Sequence, residues 1–112
     1  MLVNKQNAID ELGITEDDYI EFLGDLKAYM LEVLPQIKMN VDCGGPREEM
    51  HHLAHTVKGA CRNLRFVAAG DIAFELEKWG SGKENFDPKP VYSNLVKTLE
   101  QSFAEFHMKM EA

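Results

Sequence analysis

Met50 to Leu64 reads MHHLAHTVKGACRNL, and everything else in the chain is interpreted outward from it. Apolar residues recur at Met50, Leu53, Ala54, Val57, Cys61 and Leu64, the i, i+3, i+4, i+7 spacing of one helix face. At about 100° per residue, these side chains centre on one direction. His55 then points about 150° away from it, and Gly59 almost directly opposite. A histidine on a core face would be structural. One that stands in solvent, with a glycine one turn further on, is available for chemistry with a partner.

The same stretch departs from the charge balance of the chain. The formal net charge is -7, yet no Asp or Glu occurs from Met50 to Gly70, where Lys58, Arg62 and Arg65 all fall. On a helical wheel these three share a flank with His51 and Arg47. A cationic stripe on an acidic protein can hold an anion. Phosphate is the first candidate, because Lys and Arg supply charge and donors but no acceptors.

Outward from this helix, every substantial segment reads as helix. Asn4 caps a short one that runs to Leu12 and stops at Gly13. Thr15 caps a long one, with Glu16, Asp17 and Asp18 in the first turn, where the helix dipole favours acids. Its expected core positions are Tyr19, Phe22, Leu23, Leu26, Met30, Val33, Leu34 and Ile37. Pro35 is expected to kink it or end its regular part, and Asn40 to Gly45 is expected to be a turn. Pro46 opens the His55 helix at its first position, and that helix is expected to end near Arg65 or Phe66. A fourth helix places Ala69, Ile72, Ala73, Leu76 and Trp79 inward and stops at Gly80-Ser81-Gly82. Asp87-Pro88 opens the last one, whose stripe is Tyr92, Leu95, Val96, Leu99, Phe103, Phe106 and Met110. No period-two alternation appears, so no sheet is predicted. The expected architecture is all-α: an antiparallel four-helix bundle with a short extra N-terminal helix across one end.

Length and composition fit this picture. The 112 residues suffice for one core, and residues 1–112 are read as a single domain. A hydrophobic fraction of 45% argues for a folded globule. Acidity argues against nucleic-acid binding. No apolar run approaches the roughly 20 residues that span a bilayer, and Met1 to Gln6 lacks a signal-peptide core. The chain is therefore expected to be cytoplasmic, with no membrane partner. Cys43 and Cys61 are too few and too isolated for a disulfide framework or zinc site.

The segment from Leu53 to Leu64, LAHTVKGACRNL, closely resembles the signature of histidine-containing phosphotransfer (HPt) domains. Ala54, His55, Lys58, Gly59, Ala60, Asn63 and Leu64 all fit its pattern, and Leu76-Glu77 looks like the Leu-Glu pair of the family's next helix. Two positions depart from it. Arg65 stands where the family often has Gly, and Cys61 where it often has Ser or another small residue. The resemblance implies a helical bundle that relays phosphoryl groups in two-component signalling. It implies that His55 is the phosphoacceptor, that Lys58 assists the phosphoryl group, and that Gly59 leaves room for the partner's active site.

The chemistry is consistent with that reading. An imidazole attacks phosphorus only when unprotonated, and an ordinary histidine is largely neutral near pH 7. Phosphoryl transfer asks the protein mainly for positioning and charge neutralisation. Lys58, three residues after His55, can reach the transferring oxygens, and Arg62 is a second cation. There is no Gly-rich nucleotide loop or Walker motif, so the chain is expected to be a carrier rather than an enzyme, with no cofactor of its own. The resemblance implies that the partner supplies the rest: a response-regulator receiver domain with its own Asp and Mg²⁺, or a hybrid histidine kinase. The chain is expected to be a monomer. Two alternatives remain in the sequence. One is a bundle that only docks a partner, its histidine unused. The other is a metal site on His51 and His55, which are four residues apart on one face, although Lys58 and Arg62 would repel a cation.

Overall fold

The computed structural model describes residues 1–111 and consists of five helices: α1 (Lys5–Leu12), α2 (Glu16–Cys43), α3 (Arg47–Asn63), α4 (Val67–Gly80) and α5 (Pro88–Ala104). Among the described residues the only extended pairing is an isolated bridge between Val3 and Phe66. α2 packs on α3, α3 on α4, α4 on α5, and α5 back on α2, with α1 lying against α2. The connections between these four are short, which makes sequential helices antiparallel neighbours. A helix of 28 residues is about 42 Å long, so α2 spans the whole 41 Å long axis of the molecule. No described helix is long and apolar enough to cross a membrane.

Each helix begins where its capping chemistry allows. The Asn4 side chain accepts from the Asn7 N–H, and Thr15 and Asp18 form a reciprocal capping box. Asp87 accepts from the Lys89 N–H ahead of Pro88. The core runs along the bundle axis and includes Tyr19, Leu23, Met30, Ile37, Met50, Val57, Leu76, Leu95, Leu99 and Phe103, all fully buried.

Several boundaries differ from the sequence reading. α2 passes through Pro35 and continues to Cys43, so Asn40 is helical and not part of a turn. Asn40 is buried, and its side-chain N–H donates to the Pro46 carbonyl at 2.8 Å, tying the last turn of α2 to the start of α3. Pro46 is the N-cap of α3 and not its first helical residue. Phe22 is 40% exposed and is not a core residue. α5 ends at Ala104, so Phe106 and Met110 lie beyond it. Phe106 instead folds back onto Tyr19 and Phe66, with ring centroids 5.9 and 6.4 Å away.

α3 ends at Asn63, two to three residues early, in a way that explains the missing glycine. Arg65 has φ of 60°. The Arg65 N–H donates to the Arg62 carbonyl, and the Phe66 N–H to the Cys61 carbonyl. These are the two bonds of a Schellman motif, whose left-handed residue is usually glycine. An arginine there costs about 1–2 kcal/mol of backbone strain. Its guanidinium offsets that cost by donating to the carbonyls of Arg62 and Asn63 and to Asn7 and Glu11 of α1. The buried Tyr19 hydroxyl donates to the Leu64 carbonyl at 2.7 Å, and burial pushes the Tyr19 phenol up to about 12.

α3 and α4 approach most closely at Gly80. A Cβ there would lie 2.7 Å from His51 Cα and 2.9 Å from the Arg47 carbonyl oxygen, both backbone atoms. Neither can move without shifting a helix. Gly80→Ala is therefore expected to destabilise the fold by about 2–3 kcal/mol, read as a lowered midpoint in urea. A midpoint equal to the native one would show that the two helices are not held at this distance.

Candidate functional site

His55 sits in the middle of α3 with its side chain 64% exposed. Its Nδ1 lies 2.9 Å from Oε1 of Glu77 on α4. The Lys58 ammonium donates to the same oxygen at 2.8 Å. In contrast to His55, both Lys58 and Glu77 are largely covered, at 15% and 13%. The three side chains form a unit in which two residues of α3, three apart and so on one face, meet one residue of α4.

Electrostatics hold the unit together. Burial pushes the Glu77 carboxyl up, but the hydrogen bonds and positive charges of Lys58 and His55 outweigh it, leaving the group below its ordinary value. Glu77 is thus an anion sharing one oxygen between two donors. Phe74, partly exposed on α4, lies beneath the neighbouring cations. The Lys58 and Lys78 ammonium groups are each 4.8 Å from its ring centroid, and the Arg62 guanidinium is 5.4 Å away, within cation–π range.

The cationic stripe read from sequence does not assemble as one surface. Arg65 is turned to α1 at the end of α3. Arg47 stacks on Trp79 and donates to the Trp79 and Glu84 carbonyls. Only Lys58 and Arg62 remain beside His55, Lys58 paired with Glu77 and Arg62 3.5 Å from Asp71. His51 is half-buried at the α3–α4 seam with its ring 6.3 Å from that of His55, and its Nδ1 is buried without a partner. No third ligand joins this pair: no group of three metal-ligating side chains occurs among the described residues.

Around His55 the surface is open. A Cβ on Gly59 would meet nothing within 4 Å. On the side away from α4 lies an apolar groove of about 440 Å³ between α1, α2 and α3, lined by Leu12, Phe22, Leu26, Tyr29, Ala60 and Asn63 among others. The exposed Phe22 belongs to this groove. The histidine therefore stands between a cationic flank and an apolar one.

The family model of the Hpt domain matches residues 21–107, and the chain belongs to that family. Hpt domains carry out histidine phosphotransfer in phosphorelays, as phosphocarriers working with receiver domains and histidine kinases. No curated protein and no solved structure matches the chain significantly.

Sequence reasoning quoted Glu77 without giving it a contact. The only signal was its place in the Leu76-Glu77 pair; the partner it reaches is fixed by packing between helices. Its depressed titration has a consequence for stability. Because the folded-state value lies below the unfolded one, its contribution is present above the unfolded carboxylate range and is lost as pH falls through the folded value. Glu77→Gln should therefore be less stable than the native chain near pH 7, with the gap closing on acidification toward pH 3. Urea melts across that range check it; a pH-independent gap would mean that the ion pairs contribute nothing.

Proposed function

We propose that this Hpt domain accepts a phosphoryl group on His55 from a phosphorylated receiver domain or a histidine kinase and delivers it to a receiver domain. The observation that carries the proposal is an exposed imidazole whose one side is bonded to a largely covered anion and whose other side is open. We read the whole of residues 1–112 as one carrier unit, acting in the cytoplasm and as a monomer.

Each residue has a role in this reading. His55 provides the lone pair that attacks phosphorus. Lys58 is held by Glu77 within reach of the incoming oxygens, so little order must be created at the moment of transfer. Arg62 is a second, more exposed cation. His51 packs beside the imidazole and limits its movement. Gly59 leaves clearance for the partner's active site, and the apolar groove gives that partner a foothold. Phosphoryl transfer of this kind also needs a metal to neutralise the developing charge and an acidic residue to carry the phosphoryl group on the other side. We assign both to the receiver, so this chain needs no cofactor of its own.

The test is transfer from a panel of phosphorylated receiver domains to the native chain and to His55→Gln. Acid-labile, alkali-stable label on the native chain alone is the expected result. Equal label on both would overturn the assignment of His55, and no label from any receiver would favour a docking bundle with an idle histidine. Lys58→Ala should slow transfer by roughly 10- to 100-fold, the worth of a charge-assisted hydrogen bond. An unchanged rate removes Lys58 from the mechanism.

Gly59 gives a sharper contrast, because its two expected effects have opposite sign. Gly59→Ala should raise stability by about 0.5–1 kcal/mol, since the site is open and helical. Gly59→Gln should keep the fold and slow transfer to the receiver. A Gln variant that transfers at the native rate would refute the clearance argument.

A further inference from the structure

Two buried side-chain polar atoms lack a partner among the described residues, Oδ1 of Asn40 and Nδ1 of His51. The second lies beside the reacting ring. His51 is one turn before His55 on α3, half-buried at the seam where the Gly80 backbone comes against its own backbone. A neutral imidazole carries one hydrogen, on Nδ1 or on Nε2. On Nδ1 it would be a buried donor with no acceptor, and orphaned buried N–H groups are rare in folded proteins. Nε2 is not among the buried, unpartnered atoms, and it bonds to no described residue. The hydrogen therefore belongs on Nε2, at the outer edge of the ring, where water or a bound oxygen can accept it.

His51, His55 and Lys58 follow one another along α3 at i, i+4 and i+7, one line on the helix surface. The two imidazoles are nearly parallel, 24° apart, with centroids 6.3 Å apart. That gap accommodates one phosphoryl oxygen and one hydrogen bond of about 2.8 Å. Nδ1 of His55 faces Glu77 at 2.9 Å, so the phosphoryl group of the carrier reading sits on Nε2, toward solvent. Lys58 flanks it on the C-terminal side and is already bonded to Glu77. On the N-terminal side Arg47 is withdrawn to the carbonyls of Trp79 and Glu84, which leaves the Nε2–H edge of His51.

Resting on the carrier reading above, we propose that His51 is a phosphoryl-binding residue, whose Nε2–H donates to a phosphoryl oxygen on His55 from the side opposite Lys58.

The role moves no proton. The N–P bond forms and breaks on His55 alone, and the hydrogen stays on Nε2 of His51. The two flanking donors differ in what they give up. Lys58 divides its donors between Glu77 and the incoming oxygens, whereas the outer N–H of His51 has only water to release. The burial of Nδ1 also acquires a purpose. By placing one ring nitrogen in the seam without an acceptor, the fold selects which nitrogen of His51 presents its hydrogen to the group on the next turn.

Two readouts test this, one of them without a partner. Two-bond ¹H–¹⁵N spectra of the histidine-labelled full chain, at about pH 8.5 where an ordinary imidazole is neutral, should show His51 as the Nε2–H form. A ring that is mainly Nδ1–H overturns the proposal. Once His55 is phosphorylated with phosphoramidate, the His51 Nε2–H signal should shift and exchange more slowly with solvent; an unmoved signal on a labelled chain also overturns it. The second readout is the rate of transfer from a phosphorylated receiver to two variants. His51→Phe keeps the packing and removes the donor, while His51→Gln keeps an N–H donor and loses the ring. His51→Phe should be slower by about tenfold, and His51→Gln should recover most of that loss. A His51 that only packs against the imidazole gives the reverse order, and that order, or a native rate in His51→Phe, overturns the proposal. Urea melts establish that each variant is folded, and His51→Leu takes the place of His51→Phe if the latter is not. If neither a receiver nor phosphoramidate labels the native chain, the carrier reading fails and this proposal with it. A labelled chain indifferent to His51 sinks this proposal alone.

Discussion

The close approach of α3 and α4 is the constraint on which the site depends. Gly80 lets the α4 backbone come against the backbone of His51 and Arg47. Gly70, near the other end of α4, lies under Arg62, with a Cβ position 3.0 Å from Arg62 Cγ. With glycine at both places the two helices lie close along most of their shared length. Glu77 is three residues before Gly80, and so on the same side of α4. It is thereby brought to His55 and Lys58 at hydrogen-bonding distance. A larger residue at position 80 would force the helices apart at this end, and contacts of 2.8 and 2.9 Å do not survive a shift of an ångström.

A second knot fixes the far end of α3. Helix ends leave carbonyls without partners. Here the Schellman bonds, the Arg65 guanidinium and the Tyr19 hydroxyl satisfy those from Cys61 to Leu64. The N-terminal segment is sewn into the same junction by Asn4 donating to Arg65 and Val67 donating to Leu2. Arginine in a left-handed conformation is unfavourable in isolation, but glycine could not bind α1. At this position the chain exchanges an easy backbone for a side chain that joins α1, α3 and the α3–α4 turn. Residues 1–20 precede the family match; residues 16–20 enter the bundle as the first turns of α2, and this junction ties α1 and the segment before it to the same core.

The helices were legible in the sequence because their signals are local. Apolar spacing, the Thr15 capping box and Asp87-Pro88 need no knowledge of neighbours, and the structure places helices accordingly. The misreadings come from interactions across the bundle. Asn40 has weak helix propensity, yet it is helical because it is buried and its amide finds the Pro46 carbonyl. Phe22 fits the apolar period of α2 but lies at the edge of its stripe, where the groove leaves it exposed. The absence of acids between Met50 and Gly70 suggests a cationic stripe. Its neutralising partners lie outside that window, at Glu11 and Glu77, and in the carbonyls of Trp79 and Glu84. A wheel drawn for one helix cannot include them. The prominence of His55 was legible, since exposure follows from the opposing apolar face; the anion at its back was not.

Gly59 and Gly80 show how the bundle divides stability from access. Both are helical, and both carry the propensity cost of about 1 kcal/mol. At Gly80 that cost is offset by packing, because no side chain fits between the helices. At Gly59 nothing in the fold offsets it, because the space is empty. Folding alone would favour alanine at position 59 and would bury or drop the imidazole beside it. The unit of His55, Lys58 and Glu77 shows the same division within a few ångströms. The parts that must keep their geometry, Lys58 and Glu77, are covered, and the ring that must meet a partner is exposed. A site that exchanges a group with another protein needs a rigid back and an unobstructed front. In this chain the rigidity comes from helix packing at Gly80, and the open front from a glycine the fold itself does not require.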